Sequence, residues 1–112
     1  MIAHVVLYRY PESMSESDRE RFRKELTEAT RSTGVVERFT AGRHIPLPAD
    51  DKATESLYSV AARWEFTDLE QLRAFSTHPA MSGVVDAWVR RLGIGVAFAN
   101  TADETVEKRV RT

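Results

Sequence analysis

A histidine set into an apolar strand is a candidate proton carrier, and this chain has one at its fourth position. The opening reads Ile2-Ala3-His4-Val5-Val6-Leu7-Tyr8. An imidazole there could act as general acid or base. Strand alternation puts Tyr8 on the same face as His4. Tyr58, from a second long strand, is the other phenol expected nearby. A phenol beside an imidazole could polarise a carbonyl or hold an enolate. The catalytic candidates are therefore His4, Tyr8 and Tyr58. The plainer alternative is a neutral, hydrogen-bonded histidine among packed aromatic rings.

The other titratable groups suggest less. His78 precedes Pro79 and a helix start, which suits orienting that turn, with anion contact as the second possibility. Arg43 and His44 close a strand and could bind a carboxylate or phosphate at a pocket mouth, or lie solvated. Arg9 and Arg63 fall on the opposite strand face, where they could pair with Glu65 of a neighbouring copy. The three histidines at 4, 44 and 78 show no ligand spacing, so no metal is expected. No glycine-rich phosphate loop and no G-x-S-x-G elbow occur, so no cofactor is expected. Cysteine is absent, which removes thiol nucleophiles and disulfides. A net charge of −1 argues against nucleic-acid or anionic-membrane partners. The first apolar run is too short for a signal core or a membrane span, which leads to a cytoplasmic expectation.

The elements that must position these residues follow from pattern and caps. Ile2 to Tyr10 is β-branched and aromatic, and Pro11 stops it. Ser15-Glu16-Ser17-Asp18 opens a helix with Phe22, Leu26 and Ala29 as its apolar stripe, and Gly34 ends it. Val35 to Ile45 reads as a strand, followed by a polar loop through Pro46, Pro48 and Asp50-Asp51-Lys52. Leu57 to Phe66 reads as a strong strand. Thr67-Asp68-Leu69-Glu70 is a second capping box, leading into Leu69, Leu72 and Phe75. Pro79 starts a third helix with Met81, Val84, Val85, Trp88 and Leu92 on one side. Ile94 to Ala99 is the last strand. Residues 1–100 are expected to form one domain, with 101–112 a charged tail.

The order β-α-β-β-α-α-β is an α+β, ferredoxin-like plan with a four-stranded antiparallel sheet. Helices can cover only one face of that sheet. Val5, Leu7, Leu57 and Ala61 make the other face apolar too, so a homodimer packed sheet against sheet is expected. The alternative is a monomer with a loop folded over that face. On the helix side, Val6, Ala62 and Trp64 would floor a pocket. Phe22, Leu26, Leu72, Phe75, His78, Met81, Val84 and Trp88 would wall it. Such a lining suits a hydrophobic small molecule, or it is simply the core.

Four segments carry a family resemblance. They are Met1-Ile2-Ala3-His4-Val5-Val6-Leu7-Tyr8, Ala41-Gly42-Arg43, Trp64-Glu65-Phe66-Thr67-Asp68-Leu69-Glu70, and Ala74-Phe75-Ser76-Thr77-His78-Pro79-Ala80-Met81. In this order they resemble the stress-responsive A/B-barrel (Dabb) family over about residues 2 to 99. The resemblance implies a dimeric α/β barrel with a pocket between each sheet and its helices. It also implies kinship with polyketide cyclases of the olivetolic acid cyclase type, which close a poly-β-keto chain without metal or cofactor. The family's Tyr-x-x-His-Pro-x-His motif is altered here. Phe75 stands at the tyrosine position and Met81 at the second histidine, and neither exchanges a proton near neutral pH. The resulting expectation is a cofactor-independent cyclase, dehydratase or isomerase acting on a polyketide-like or aromatic substrate. A non-catalytic stress or ligand-binding dimer and a cofactor-independent monooxygenase are the alternatives.

Overall fold

A computed structural model describes residues 1–53 and 57–107. Strand β1 spans Ile2–Arg9 and ends before Pro11. Helix α1 spans Glu16–Thr33. The Ser15 hydroxyl accepts from the Asp18 N–H at 3.0 Å, satisfying one of the donors a helix start leaves open. Gly34, at φ 70, closes the helix by donating its N–H to Arg31 O; glycine takes that left-handed conformation without a Cβ clash. The buried stripe is Phe22, Leu26 and Thr30. Thr30 thus takes the place expected of Ala29, which is half-buried, because a spacing of four continues the line set by Phe22 and Leu26.

The middle strands are shorter than the sequence suggests. Strand β2 is Arg38–Arg43, while Val35 and Val36 pack on the core from the preceding loop. A short 3₁₀ turn occupies Pro48–Lys52 within the expected polar loop. Strand β3 is Val60–Phe66. Helix α2 spans Leu69–Ser76, and its cap is shifted by one residue from the expected one. Asp68, not Thr67, is the N-cap and accepts from Gln71 N–H at 2.9 Å. The Gln71 amide oxygen in turn accepts from the Thr67 N–H at 2.9 Å and from the Thr67 hydroxyl. Helix α3 begins at Pro79 and runs to Val84, then widens into π-helical turns over Val85–Arg90. Strand β4 is Gly95–Ala102, extending beyond the expected end at Ala99. Of the expected tail, residues 108–112 lie outside the described residues.

The fold is α+β and ferredoxin-like, with one antiparallel sheet in the order β2-β3-β1-β4. Pairing register sets which side chains share a row across the sheet. On the helix side, Phe39, Trp64, His4 and Asn100 form one row, and Ala41, Ala62, Val6 and Phe98 form the next. The core lies between this side and the helices, with Phe22, Trp64, Phe66 and Trp88 its largest fully buried side chains. The other side carries the row Gly42, Ala61, Leu7 and Ala97 and, among the described residues, no helix. The charges there pair within the chain: Arg63 reaches Glu65 at 3.6 Å and Asp103 at 3.2 Å. Arg9 lies over the Tyr58 ring of its own chain at 4.3 Å.

Candidate functional site around His4

Strand β1 carries His4 between Trp64 on β3 and Asn100 on β4. Its Nδ1 lies 2.7 Å from Asn100 Oδ1. An amide oxygen can only accept, so Nδ1 is the donor of this contact, and in the neutral ring that tautomer puts the lone pair on Nε2. Three aromatic rings surround the imidazole, with centroid distances of 5.5 Å to Trp64, 5.9 Å to Phe75 and 5.7 Å to Phe98. The ring is therefore held by one hydrogen bond and by packing on several sides.

His4 lines a cavity of about 590 Å³ between the β1–β4 part of the sheet and α2, α3 and the π turns. That volume lies within the range of small-molecule sites. Trp64, Leu72, Phe75, Met81 and Phe98 supply its apolar surface, and Tyr8 reaches it from β1. Burial raises the Tyr8 phenol pKa far above the ordinary tyrosine value, with nearby Tyr10 adding to the effect. Tyr8 is thus a neutral donor at any physiological pH. Arg73, Ser76, Ser82, Asp86 and Arg90 provide the polar lining. Arg73 is paired with Glu70 at 2.7 Å, and Arg90 with Asp86 at 3.2 Å. The π turns bring Val85, Asp86 and Arg90 to this wall, and such turns often occur at functional sites.

The structure divides the other expected site residues among several places. Phe22 and Leu26 line a different cavity, on the β2 side of α1. Val6, Ala62, Val84 and Trp88 are buried in the core and line neither cavity. Trp88 packs against Phe22 with ring centroids 5.9 Å apart. His78 caps α3, its Nδ1 accepting the Ala80 N–H at 3.1 Å. Tyr58 is separated from His4. It precedes β3, which begins at Val60, so alternation does not fix its side. Its ring lies under Arg9, beside Leu7 and Ala61, on the helix-free side. Arg43 and His44 line the α1 cavity with Phe22. His44 Nε2 meets Asp50 Oδ2 at 2.8 Å, a contact that lowers the Asp50 pKa, together with the bond Asp50 accepts from Leu47 N–H.

Asn100 and Phe98, which touch His4, are site residues that the sequence reading missed, as are the polar lining residues Arg73, Ser76, Ser82, Asp86 and Arg90. For the two strand residues a signal was available: Phe98 lies within the expected last strand, and continuing its alternation past Ala99 places Asn100 on the same His4 side. Among the described residues, no group of His, Asp or Glu could hold a metal ion. Nor is any described helix long and apolar enough to cross a membrane. Chemically, the site offers one oriented imidazole, one neutral phenol and an aromatic enclosure with charged groups in its lining.

A four-stranded ferredoxin-like sheet with a cavity between it and its helices defines the α/β-barrel class. The chain belongs to the family of the stress responsive A/B barrel domain (Dabb), whose sequence profile matches residues 2–107. No curated protein matches the sequence. Solved structures resemble it in fold. A protein from Arabidopsis thaliana has 16% identity and a TM-score of 0.78, covering 96% of this chain and 99% of its own. The hydroxynitrile lyase from Passiflora edulis has 14% identity and a TM-score of 0.77, over 95% and 96% of the two chains. A dimeric ferredoxin-like protein from Thermobifida fusca has 17% identity and a TM-score of 0.71, over 90% and 89%.

Proposed function

We propose that this Dabb protein is a cofactor-independent enzyme, working as a homodimer on a hydrophobic carbonyl compound of polyketide-like or aromatic type. His4 takes a proton from the carbon next to the substrate carbonyl. The resulting enolate then cyclises, loses water or is reprotonated elsewhere, giving a cyclase, dehydratase or isomerase. Asn100 holds the imidazole so that Nε2 is the base. Tyr8, kept neutral by burial, donates a hydrogen bond toward the developing oxyanion. The observation that carries this reading is an imidazole fixed at 2.7 Å on Asn100 in the wall of a cavity of about 590 Å³. The lyase from Passiflora edulis supports it to the extent that a similar fold carries lyase chemistry.

A second reading has its own observation. Phe75 and Met81 line the same cavity and bring no titratable group, which favours a non-catalytic ligand-binding dimer. One experiment separates the two. Proton-to-deuterium exchange next to the carbonyl of a panel of aryl methyl ketones and β-diketones is followed by NMR in D₂O. The enzyme reading expects exchange accelerated by the wild-type protein and lowered about 100-fold or more in His4→Ala. Binding without acceleration, or full acceleration by His4→Ala, would leave the binding-protein reading in its place.

A further inference from the structure

The second cavity, between α1 and the β2–β3 part of the sheet, holds about 260 Å³. It shares only Tyr8 with the lining of the His4 cavity. Phe22, Leu26 and Phe39 give it an apolar interior, and Arg19 and Arg43 reach it from α1 and β2. The guanidiniums are held by carboxylates. Arg43 contacts Glu16 at 3.3 Å and Glu20 at 3.6 Å, and Arg19 lies 4.0 Å from Glu16. These carboxylates are well exposed, with Glu16 at 67%, so each contact is weak and exchangeable. The Arg19 Nε atom is buried and has no hydrogen-bond partner among the described residues. Its guanidinium lies over the Tyr10 ring at 5.3 Å, and a buried donor left unmade is costly.

We propose that this cavity binds a small monocarboxylic acid with a single ring or a short apolar chain. The apolar part lies among Phe22, Leu26 and Phe39, and the carboxylate takes Arg43 and Arg19 in place of Glu16. Charge-assisted bonds to guanidinium suit a carboxylate geometrically. The volume is below the roughly 300–1,000 Å³ of drug-sized sites, which selects a small acid. The site does not depend on His4 chemistry, and its test reads binding alone.

The probes are phenylacetate and its neutral analogue phenylacetamide, titrated into the isotopically labelled full chain and followed by backbone amide NMR. Phenylacetate is expected to shift the amides of Arg19, Phe22, Ala41 and Gly42, with phenylacetamide at least about tenfold weaker. Arg43→Ala should remove that preference for the acid. Glu16→Gln, which releases the competing carboxylate, should tighten phenylacetate several-fold. A merely cationic surface would not require this apolar-dependent response, so acetate should bind far more weakly than phenylacetate. Equal binding of acid and amide would overturn the proposal. So would shifts confined to Phe98 and Asn100, weaker binding in Glu16→Gln, or no shifts with either probe.

Discussion

Trp64 shows how a single side chain ties the core to the candidate site. One face of its indole stacks on Phe39 at 4.9 Å, and the ring also lies against His4. Its Nε1–H donates to the Thr30 hydroxyl at 2.9 Å, and that hydroxyl donates onward to Leu26 O at 2.8 Å. Both residues are buried. Thr30 is there to satisfy an indole N–H that has no water to turn to. Thr30→Val keeps the shape and removes the acceptor. It should cost about 1–3 kcal/mol, read as a lower urea midpoint with an unchanged slope. Thr30→Ser should retain most of the stability. A valine variant equal to wild type would show that the indole finds another acceptor.

At the scale of elements, the ends of α1 are set by single residues. Gly34 sits at φ 70 with open space where a Cβ would go, so the cost of a side chain there is conformational and not steric crowding. Gly34→Ala should lose about 1 kcal/mol, seen as a lower melting temperature, while Ala29→Gly in the same helix tests propensity separately. If Gly34→Ala melts like wild type, the left-handed cap is not needed. Such local features were legible in the sequence: Ser15 and Gly34 as caps, Pro79 as a helix start, and His4, Val6 and Tyr8 on one side of β1. Features that depend on where a strand stops were not. Tyr58 was assigned to a face by alternation, but β3 starts at Val60, and a residue outside the ladder is free of its period. Asn100 escapes a sequence reading because the apolar pattern of β4 ends at Ala99, whereas pairing with β1 carries the strand to Ala102. Thr67 and Glu70 read as a capping box, yet Asp68 is the cap and the Gln71 side chain bonds back to Thr67, since two adjacent residues competed for one role. Whether the apolar list makes a wall or a core was also closed to sequence. Val84 and Met81 share a helix face, but only Met81 meets the cavity.

The whole molecule is a two-layer slab whose shortest dimension is 19 Å. Among the described residues, one side of the sheet has no helix over it. The row Gly42, Ala61, Leu7 and Ala97 crosses the middle of that side. Most of its side chains are small, so the backbone of a second sheet could approach to about 10 Å. The charged groups lie away from this row: Arg63 meets Glu65 and Asp103 on one flank, where Arg38 stands opposite Glu65, and Arg9 lies over Tyr58 on the other. A small, apolar centre with charged groups at its rim is the anatomy of an interface. Because the exposed face and the His4 side belong to the same strands, a partner sheet would also stiffen the row that holds His4 between Trp64 and Asn100. Ala61 lies between Gly42 and Leu7, so Ala61→Arg places a long cation at the centre of the contact. The wild-type protein is expected to sediment at twice the 12.7 kDa chain mass at micromolar concentration. The arginine variant should sediment as a single chain with the same far-ultraviolet circular dichroism. A wild-type protein that sediments as one chain would remove the partner sheet, and with it the reason for an oily second face.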